Sequence, residues 1–427
     1  MIKRPFFGLA RPSLKHPVVV NREQDSVEEI PLPQKVTLFL SPHIKIDDII
    51  LRAGDKVITG QRLKLTGDGK DYLISTATGT ITGISEYTGY LGQTCQAVSI
   101  EAAGDDQWDD EFNERGKTTS PENALEFFNY LPGNPDFQSL LSFQPPVNTI
   151  IINGIDKDLL IATNQLVFKT ETESLIEGIE HLKKITRASS LFITVPSDLT
   201  AEAEKTGVPV HAVNPVYPNI LPEIITKNIL GRAVPPGKRC EEMGVGFINA
   251  EAVVSLTRAF AEGKIPVDKI VTVINKDYIP VNIRARIGTP VKDILKALNI
   301  ETEHGDQIVL GGPMTGTAIY SEDMPVSPDT DAIMVLDKKR IVLGSGSHCI
   351  NCGECVRACP ARVPVNMLVR LLENGLYEEA AEQYDLLSCI ECGLCSYVCV
   401  ARIPVFHYIM LGKYEFSRIQ SAEESNA

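Results

Sequence analysis

Eight of the ten cysteines fall into two copies of one spacing near the C-terminus. The first copy is Cys349-x2-Cys352-x2-Cys355-x3-Cys359, followed by Pro360. The second is Cys389-x2-Cys392-x2-Cys395-x3-Cys399, followed by Val400. This is the ligand run of a chain that holds two 4Fe–4S clusters. Three thiolates of such a run wrap one cluster, and the fourth cysteine ligates the other. The expected sets are therefore Cys349, Cys352, Cys355 and Cys399 for the first cluster, and Cys389, Cys392, Cys395 and Cys359 for the second. Gly353 and Gly393 follow the second cysteine of each copy, where the backbone must turn tightly. Pro364 and Pro404 each lie five residues after the fourth cysteine.

Zinc and disulfides are the competing uses of cysteine. Zinc prefers ligand pairs separated by a longer finger. Disulfides need an oxidising compartment, and no signal peptide opens the chain. Cys95 and Cys240 stand alone and read as structural. Between the two runs, Met367, Leu368, Leu371 and Leu372 recur at helical spacing, and a shorter helical stretch follows Gly375. The module therefore reads as a helical two-cluster ferredoxin domain joined to a larger protein.

A chain of 427 residues suits about two to four domains. No apolar run approaches a membrane span, so a membrane role would have to pass through a partner. The formal charge of −14 argues against nucleic acid and against adsorption to anionic lipid.

Residues 1–104 read as β structure. A strand is expected at Val36–Leu40. The "GDxVxxGQxL" turn within Leu51–Leu63 and the strand Ser75–Ile84 mark a barrel-sandwich module of lipoyl or biotinyl type. No lysine stands at its tip near Ala77, Thr78 and Gly79, so it is expected to be structural or a docking piece. Residues 105–147 form a composition break around Trp108, expected as a linker with short helical stretches such as Pro121–Tyr130. Residues 148–265 alternate strand and helix, which predicts a parallel sheet. Residues 266–340 read as strand, strand, helix, strand, a small β-grasp-like unit. Residues 341–427 hold the cluster runs and a short polar tail.

These pieces, in this order, resemble one family: the C subunit of the Rnf electron transport complex, a membrane-bound ferredoxin-linked ion pump. The matching features run from Phe6 to Tyr414. They include Glu29-Ile-Pro-Leu-Pro33, Ile151-Ile-Asn-Gly154, Tyr217-Pro218, Gly231-Arg-Ala-Val-Pro235, Pro280-Val-Asn282 with Ile287-Gly-Thr-Pro290, Gly311-Gly-Pro-Met-Thr-Gly316 with Pro325-Val326, and Ile403-Pro404. The resemblance implies a multidomain α/β chain: an N-terminal barrel-sandwich hybrid, a Rossmann-like flavin-type domain, an SLBB-like β-grasp domain and the C-terminal two-cluster module. In such proteins electrons pass between NADH, bound FMN and the clusters.

Three parts of the family's flavin site depart together. The Gly-rich loop of the form G-x-G-G-A-G-F-P, which lets backbone amides approach phosphate, has no counterpart between Gly104 and Ile150. The family's N-G-A-E-C-E-P is Asn153-Gly-Ile-Asp-Lys-Asp-Leu159 here, and its Y-P-x-G-G-E-K is Tyr217-Pro-Asn-Ile-Leu-Pro-Glu223. The expectation is loss of FMN and NADH binding with the scaffold kept. Gly311-Gly312 is expected to be a packing turn. The function expected is that of a peripheral electron-entry subunit on the cytoplasmic side of the membrane. It would pass single electrons from reduced ferredoxin through the two clusters to Rnf-type membrane and iron–sulfur subunits, with no catalytic side chains of its own. The alternative is an FMN-containing NADH–ferredoxin oxidoreductase subunit of the same complex. Arg357, Arg362, Arg370, Arg402, Lys413 and Arg418 are candidates for a basic ferredoxin dock, opposed by Glu354, Glu373 and Glu391.

Overall fold

The fold was analysed in a computed structural model that describes residues 12–15, 26–41, 43–67, 71–89 and 92–426. Phe6, where the resemblance begins, lies outside the described residues.

The N-terminal unit is all β, as its turn chemistry requires. One sheet joins Lys35–Phe39, Thr94–Ala102, Gly79–Thr88 and Lys56–Val57. A second, small sheet pairs Arg62–Lys64 with Tyr72–Ile74. Val36, Leu38, Leu63, Leu65, Ile81, Val98 and Ile100 fill the space between them. The tip that would carry a prosthetic lysine is buried: Ser75, Thr76, Ala77 and Thr78 are all sequestered. Thr76 donates to the Ile287 carbonyl at 2.6 Å, and Arg286 donates to the Thr76 carbonyl at 2.6 Å. Arg286 also clamps Asp106 through both amino groups and reaches Asp268 at 2.7 Å. The barrel tip is thus a fixed joint to the next domain.

A six-stranded mixed sheet receives that joint. Its order is Thr317–Ile319, Gln307–Leu310, Ala332–Leu336, Asp268–Ile274, Pro280–Arg286 and Val27–Glu29. The hairpin Asp268–Arg286 is antiparallel, and Ala332–Leu336 runs parallel to its first strand. Helix Val291–Ala297 lays Val291, Ile294 and Leu295 on this sheet. The edge strand Val27–Glu29 comes from the N-terminal region, with Glu29 ion-paired to Arg284 at 3.0 Å. The Glu29–Pro33 motif is therefore the crossing from this sheet into the barrel.

The central unit is a four-stranded, all-parallel sheet in the order Val210–Val213, Ser190–Pro196, Thr149–Asn153, Val245–Asn249. Side chains alternate across a strand. Ile150 and Ile152 face one core with helices Thr172–Thr186 and Ala250–Glu262, while Ile151 packs with Ile225 of helix Pro222–Leu230. Chain order reverses at Thr149–Asn153, where the following strands lie on either side. Between this sheet and the mixed sheet Lys269 is fully buried. It donates to the Thr330 carbonyl at 2.6 Å and lies 3.3 Å from Glu251. A buried cation survives only with such partners.

Residues 105–147, expected as a linker, belong to this core. Phe112, Phe127, Phe128, Leu131, Phe137 and Leu140 are buried against the sheet and its helices. The helices Pro121–Phe127 and Phe137–Ser142 are capped by Ser120 and Asp136. Phe112, Phe128 and Phe260 form edge and tilted ring contacts at 5.5–5.8 Å. The acidic, proline-punctuated composition concealed phenylalanines that all turn to one side.

The C-terminal module is helical, as its apolar spacing predicts. Helices Val365–Glu373 and Tyr377–Gln383 join the two cysteine runs, with Gly375 at φ +71° between them. The polar tail continues the helix Val405–Asn426. We predict that Phe128→Ala lowers stability by about 3–5 kcal/mol, as large core truncations do. A shift of the unfolding midpoint in denaturant would show it, whereas a linker position would change little.

Candidate metal centre and the adjacent crevice

The two cysteine runs adopt the same backbone path. Asn351 and Glu391 both take positive φ, as do Gly353 (+74°) and Gly393 (+70°), and Arg362 and Arg402. Each second cysteine is thus followed by a left-handed glycine that opens a short helix, Glu354–Ala358 or Leu394–Tyr397. Each run then turns at Pro364 or Pro404 into a longer helix.

All ten thiols are free. Cys349, Cys352, Cys355 and Cys399 line one cavity, together with Ile350, Val400 and Ile403. Burial pushes the Cys355 thiol up to about 11, and Cys349 and Cys352 beside it add to the shift. Burial likewise pushes Cys392 up to about 12, and the neighbours that add to this are Cys389 and Cys359. Cys389 is raised by burial, against the pull of Lys413, and also faces Cys359. Cys359 therefore sits with the second run and Cys399 with the first. Cys395 is raised by burial, then by Cys389 and Cys392, and it also senses Cys355, so the two groups adjoin. Burial favours the protonated form of these thiols, and only a strongly binding metal displaces the protons. Among the described residues no three ligand side chains converge as a single ion would require. Cysteine thiolates in this spacing are the donors that 4Fe–4S clusters take.

A cation holds each loop. Arg357 donates to the Cys352 carbonyl at 2.8 Å, and Lys413 donates to the Cys389 carbonyl at 2.7 Å. Both also pair with a carboxylate, Glu354 and Glu391. The environments differ, however. Cys352 is exposed and Ile350 is 66% exposed, whereas Cys392 and Cys395 are buried.

The second run packs against the parallel sheet. Ligands of open α/β sheets bind beyond the carboxyl ends of the strands, where chain order reverses. Here Ile155, Tyr217, Ile220 and Leu221 are buried at that place with Cys392 and Leu394, and Leu159 and Met314 pack on them. Tyr217 donates its hydroxyl to the Cys392 carbonyl at 2.8 Å, and burial holds its pKa far above the usual phenol range. A side chain on Gly393 would collide with the Met314 carbonyl, so the cluster loop and the Gly311–Gly316 turn touch backbone to backbone.

Aspartates stand at the two positions where the family carries glutamates, and both turn inward. Asp156 accepts from the Asn164 amide at 2.7 Å and from Gln165 at 3.0 Å, and burial pushes it up to about 6. Asp158 accepts from the Met314 amide, the Thr315 amide (2.7 Å) and the Thr315 hydroxyl (2.8 Å). Burial raises its pKa, and those hydrogen bonds oppose the rise. A side chain on Gly312 would strike Asp158 at 2.5 Å, so Gly311-Gly312 is a packing turn around this carboxylate. Helix Ala250–Glu262, which follows the strand flanking the reversal, is capped by its own Asn249, which also donates to the Gly133 carbonyl at 2.9 Å. Sequence reasoning missed Asp158, Tyr217 and Lys413 as ties. Two of them lay inside or beside runs already singled out, Asn153–Leu159 and Tyr217-Pro218.

Comparison with known proteins fits this layout. Residues 14–105 match the RnfC barrel sandwich hybrid domain, 133–258 the Nuo51 FMN-binding domain and 341–400 the 4Fe-4S dicluster domain. Over 383 residues the chain is 28% identical to the C subunit of a proton-translocating ferredoxin:NAD(+) oxidoreductase complex from Clostridium ljungdahlii, covering 85% of this chain and 84% of that one. It is 27% identical over 355 residues to the C subunit of an ion-translocating oxidoreductase complex from Yersinia pseudotuberculosis, where it spans 50% of the relative's length. Among solved structures, an NAD+-reducing NiFe-hydrogenase in the H2-reduced state aligns with a TM-score of 0.46 at 13% identity, over 71% of this chain and 63% of that one. The chain is similar to the Rnf-type C subunits over most of its length, as the sequence motifs indicated.

Removing the Asp158 carboxylate leaves buried donors of the 312–315 turn unpaired, at a cost of about 1–3 kcal/mol. Asp158→Ala should therefore lower stability by that amount and speed proteolysis within residues 311–316. Unchanged stability and cleavage would remove Asp158 from the joint.

Proposed function

We propose that this chain is an electron-transfer subunit of an ion-translocating oxidoreductase complex. It takes single electrons from reduced ferredoxin at the cytoplasmic side of the membrane and passes them to membrane and iron–sulfur subunits. The observation that carries this reading is the grouping of eight thiols into two adjoining sets, within the segment that matches a 4Fe-4S dicluster domain. Cys349, Cys352, Cys355 and Cys399 would hold one cluster, and Cys389, Cys392, Cys395 and Cys359 the other. Bound there, the pair would supply reversible one-electron transfer, at potentials set by burial and by hydrogen bonds around the sulfurs. Arg357 and Lys413 fix the ligand loops and place positive charge beside them. No side chain is assigned as acid, base or nucleophile. Among the described residues no helix is long and apolar enough to cross a membrane, so anchoring would come from the partner subunits.

We infer further that the parallel sheet is a Rossmann-like flavin-type domain, and the mixed sheet an SLBB-like β-grasp domain, in which FMN and NADH binding has been lost. Ile155, Leu159, Ile220 and Leu221 occupy the crevice, both aspartates are committed to backbone and amide donors, and no Gly-rich cradle precedes the first strand. The residues present do not fit a flavin phosphate or its ring. A second reading, an FMN-containing NADH–ferredoxin oxidoreductase subunit, draws on the match of residues 133–258 to an FMN-binding domain.

The two readings separate on anaerobic titration. Reduced ferredoxin should bleach the cluster absorbance, and NADH should not. Cys352→Ser and Cys392→Ser should each remove roughly half of about eight irons per chain and stop the transfer. Rapid bleaching by NADH would favour the flavin-containing reading.

A further inference from the structure

The Gly231–Pro235 run takes no part in the filled crevice. It opens an exposed arch over residues 231–239 that leaves helix Pro222–Leu230 and returns to buried Cys240. The arch touches down on the cluster module, where the Gly237 amide donates to the Leu387 carbonyl at 3.1 Å. Arch, helix and the loop from Leu387 to Glu391 enclose an open cleft of about 1070 Å³. Cys389 lies in its wall, and so do Pro360 and Ala361, the residues directly after Cys359. The cleft is therefore the solvent approach to the set whose other members, Cys392 and Cys395, are buried.

Its charge runs against that of the chain. Lys227, Lys238, Arg239, Arg362 and Lys413 line it, against Glu223, Glu241 and Glu391, in a protein of net charge −14. Lys413 pairs with Glu391 at 2.6 Å, Arg239 with Glu241 at 3.2 Å and Lys238 with Glu242 at 2.7 Å, so Lys227 and Arg362 carry the excess positive charge. Burial raises the Glu223 carboxyl above its usual range. Lys227 and Arg362 have no ion-pair partner among the described residues. A small ligand is usually enclosed over most of its surface. This cleft is open along its length, with cations on its rim and Pro222, Pro235 and Pro236 stiffening its walls, and so suits a protruding acidic loop of a protein.

We propose that this cleft is the docking port for an acidic one-electron carrier protein, which places electron entry at the Cys359, Cys389, Cys392 and Cys395 set. The proposal rests on the electron-transfer reading above and goes beyond it by choosing the surface and the entry set. One electron leaves the reduced carrier and one arrives at the oxidised centre held by that set, with no bond made or broken and no proton required. The exposed Cys352 face, rimmed by Ile350, is left for onward transfer.

The test uses the purified full chain with its clusters and an oxidised acidic bacterial ferredoxin as probe. Binding is measured at low and high salt, and reduction by the reduced ferredoxin is followed in parallel. Complementary charge steers association and is screened by salt. The double variant Lys227→Glu/Lys238→Glu should bind about tenfold more weakly at low salt and lose most of its salt dependence. Its iron content and its bleaching by dithionite should stay as in the unaltered chain. Lys296→Glu, on helix Val291–Ala297 of the mixed sheet, should change nothing. Unchanged ferredoxin affinity in the double variant, or an equal loss in Lys296→Glu, overturns the port and leaves the broader reading standing. No ferredoxin binding by the unaltered chain overturns both.

Discussion

The buried carboxylate of Asp158 is the contact on which the arrangement of the sites depends. It rises from the loop after the first parallel strand and grips the Gly311–Gly316 turn of the mixed sheet. Hydrogen bonds to a charged acceptor in a dry place are each worth more than ordinary ones. The turn they hold presents the Met314 carbonyl, and Gly393 closes on it without a side chain between. Three domains therefore meet around one aspartate, and the second cysteine run is positioned by that meeting. Tyr217 locks the same place from the sheet side through the Cys392 carbonyl.

The same contacts account for the fate of the crevice. A sheet whose chain order reverses at its first strand leaves a gap beyond that strand's end. In this chain the gap holds apolar side chains that bind the cluster module to the sheet, and its acidic residues serve the protein. A scaffold suited to a two-electron cofactor is thereby proposed to act as the mount for one-electron carriers. The buried barrel tip follows a similar course. A position that would suit a swinging arm is instead clamped by Arg286 and Thr76.

How much of this was legible in the sequence depended on the range of the interaction. The cysteine runs, the left-handed glycines after Cys352 and Cys392, and the helices between the runs are local, and their spacing states them. The parallel sheet was legible in part. Thr149–Asn153 reads as a buried run of isoleucines, whereas Val245–Asn249 carries Gly246 and Asn249 and gives no such signal. The phenylalanines of residues 112–137 are scattered at no helical or strand period, because they enter the core from short helices and turns, and the segment read as a linker. The strand Val27–Glu29 joins a sheet whose other strands begin at Asp268, and no local pattern announces so distant a pairing. At the site, the loss of glycines was visible, but not that Ile220 and Leu221 would fill the space, nor that Asp156 and Asp158 would turn inward.

Flavin binding tests the central claim most directly. The purified, cluster-loaded chain would be titrated with FMN under anaerobic conditions, following flavin fluorescence and the flavin retained after desalting. The flavin-free reading predicts no quenching and no retained flavin, because in it Ile155, Ile220 and Leu221 take the place of the ring and no Gly-rich stretch cradles the phosphate. Stoichiometric retention of FMN with quenched fluorescence would contradict the account and restore a flavin to the parallel sheet.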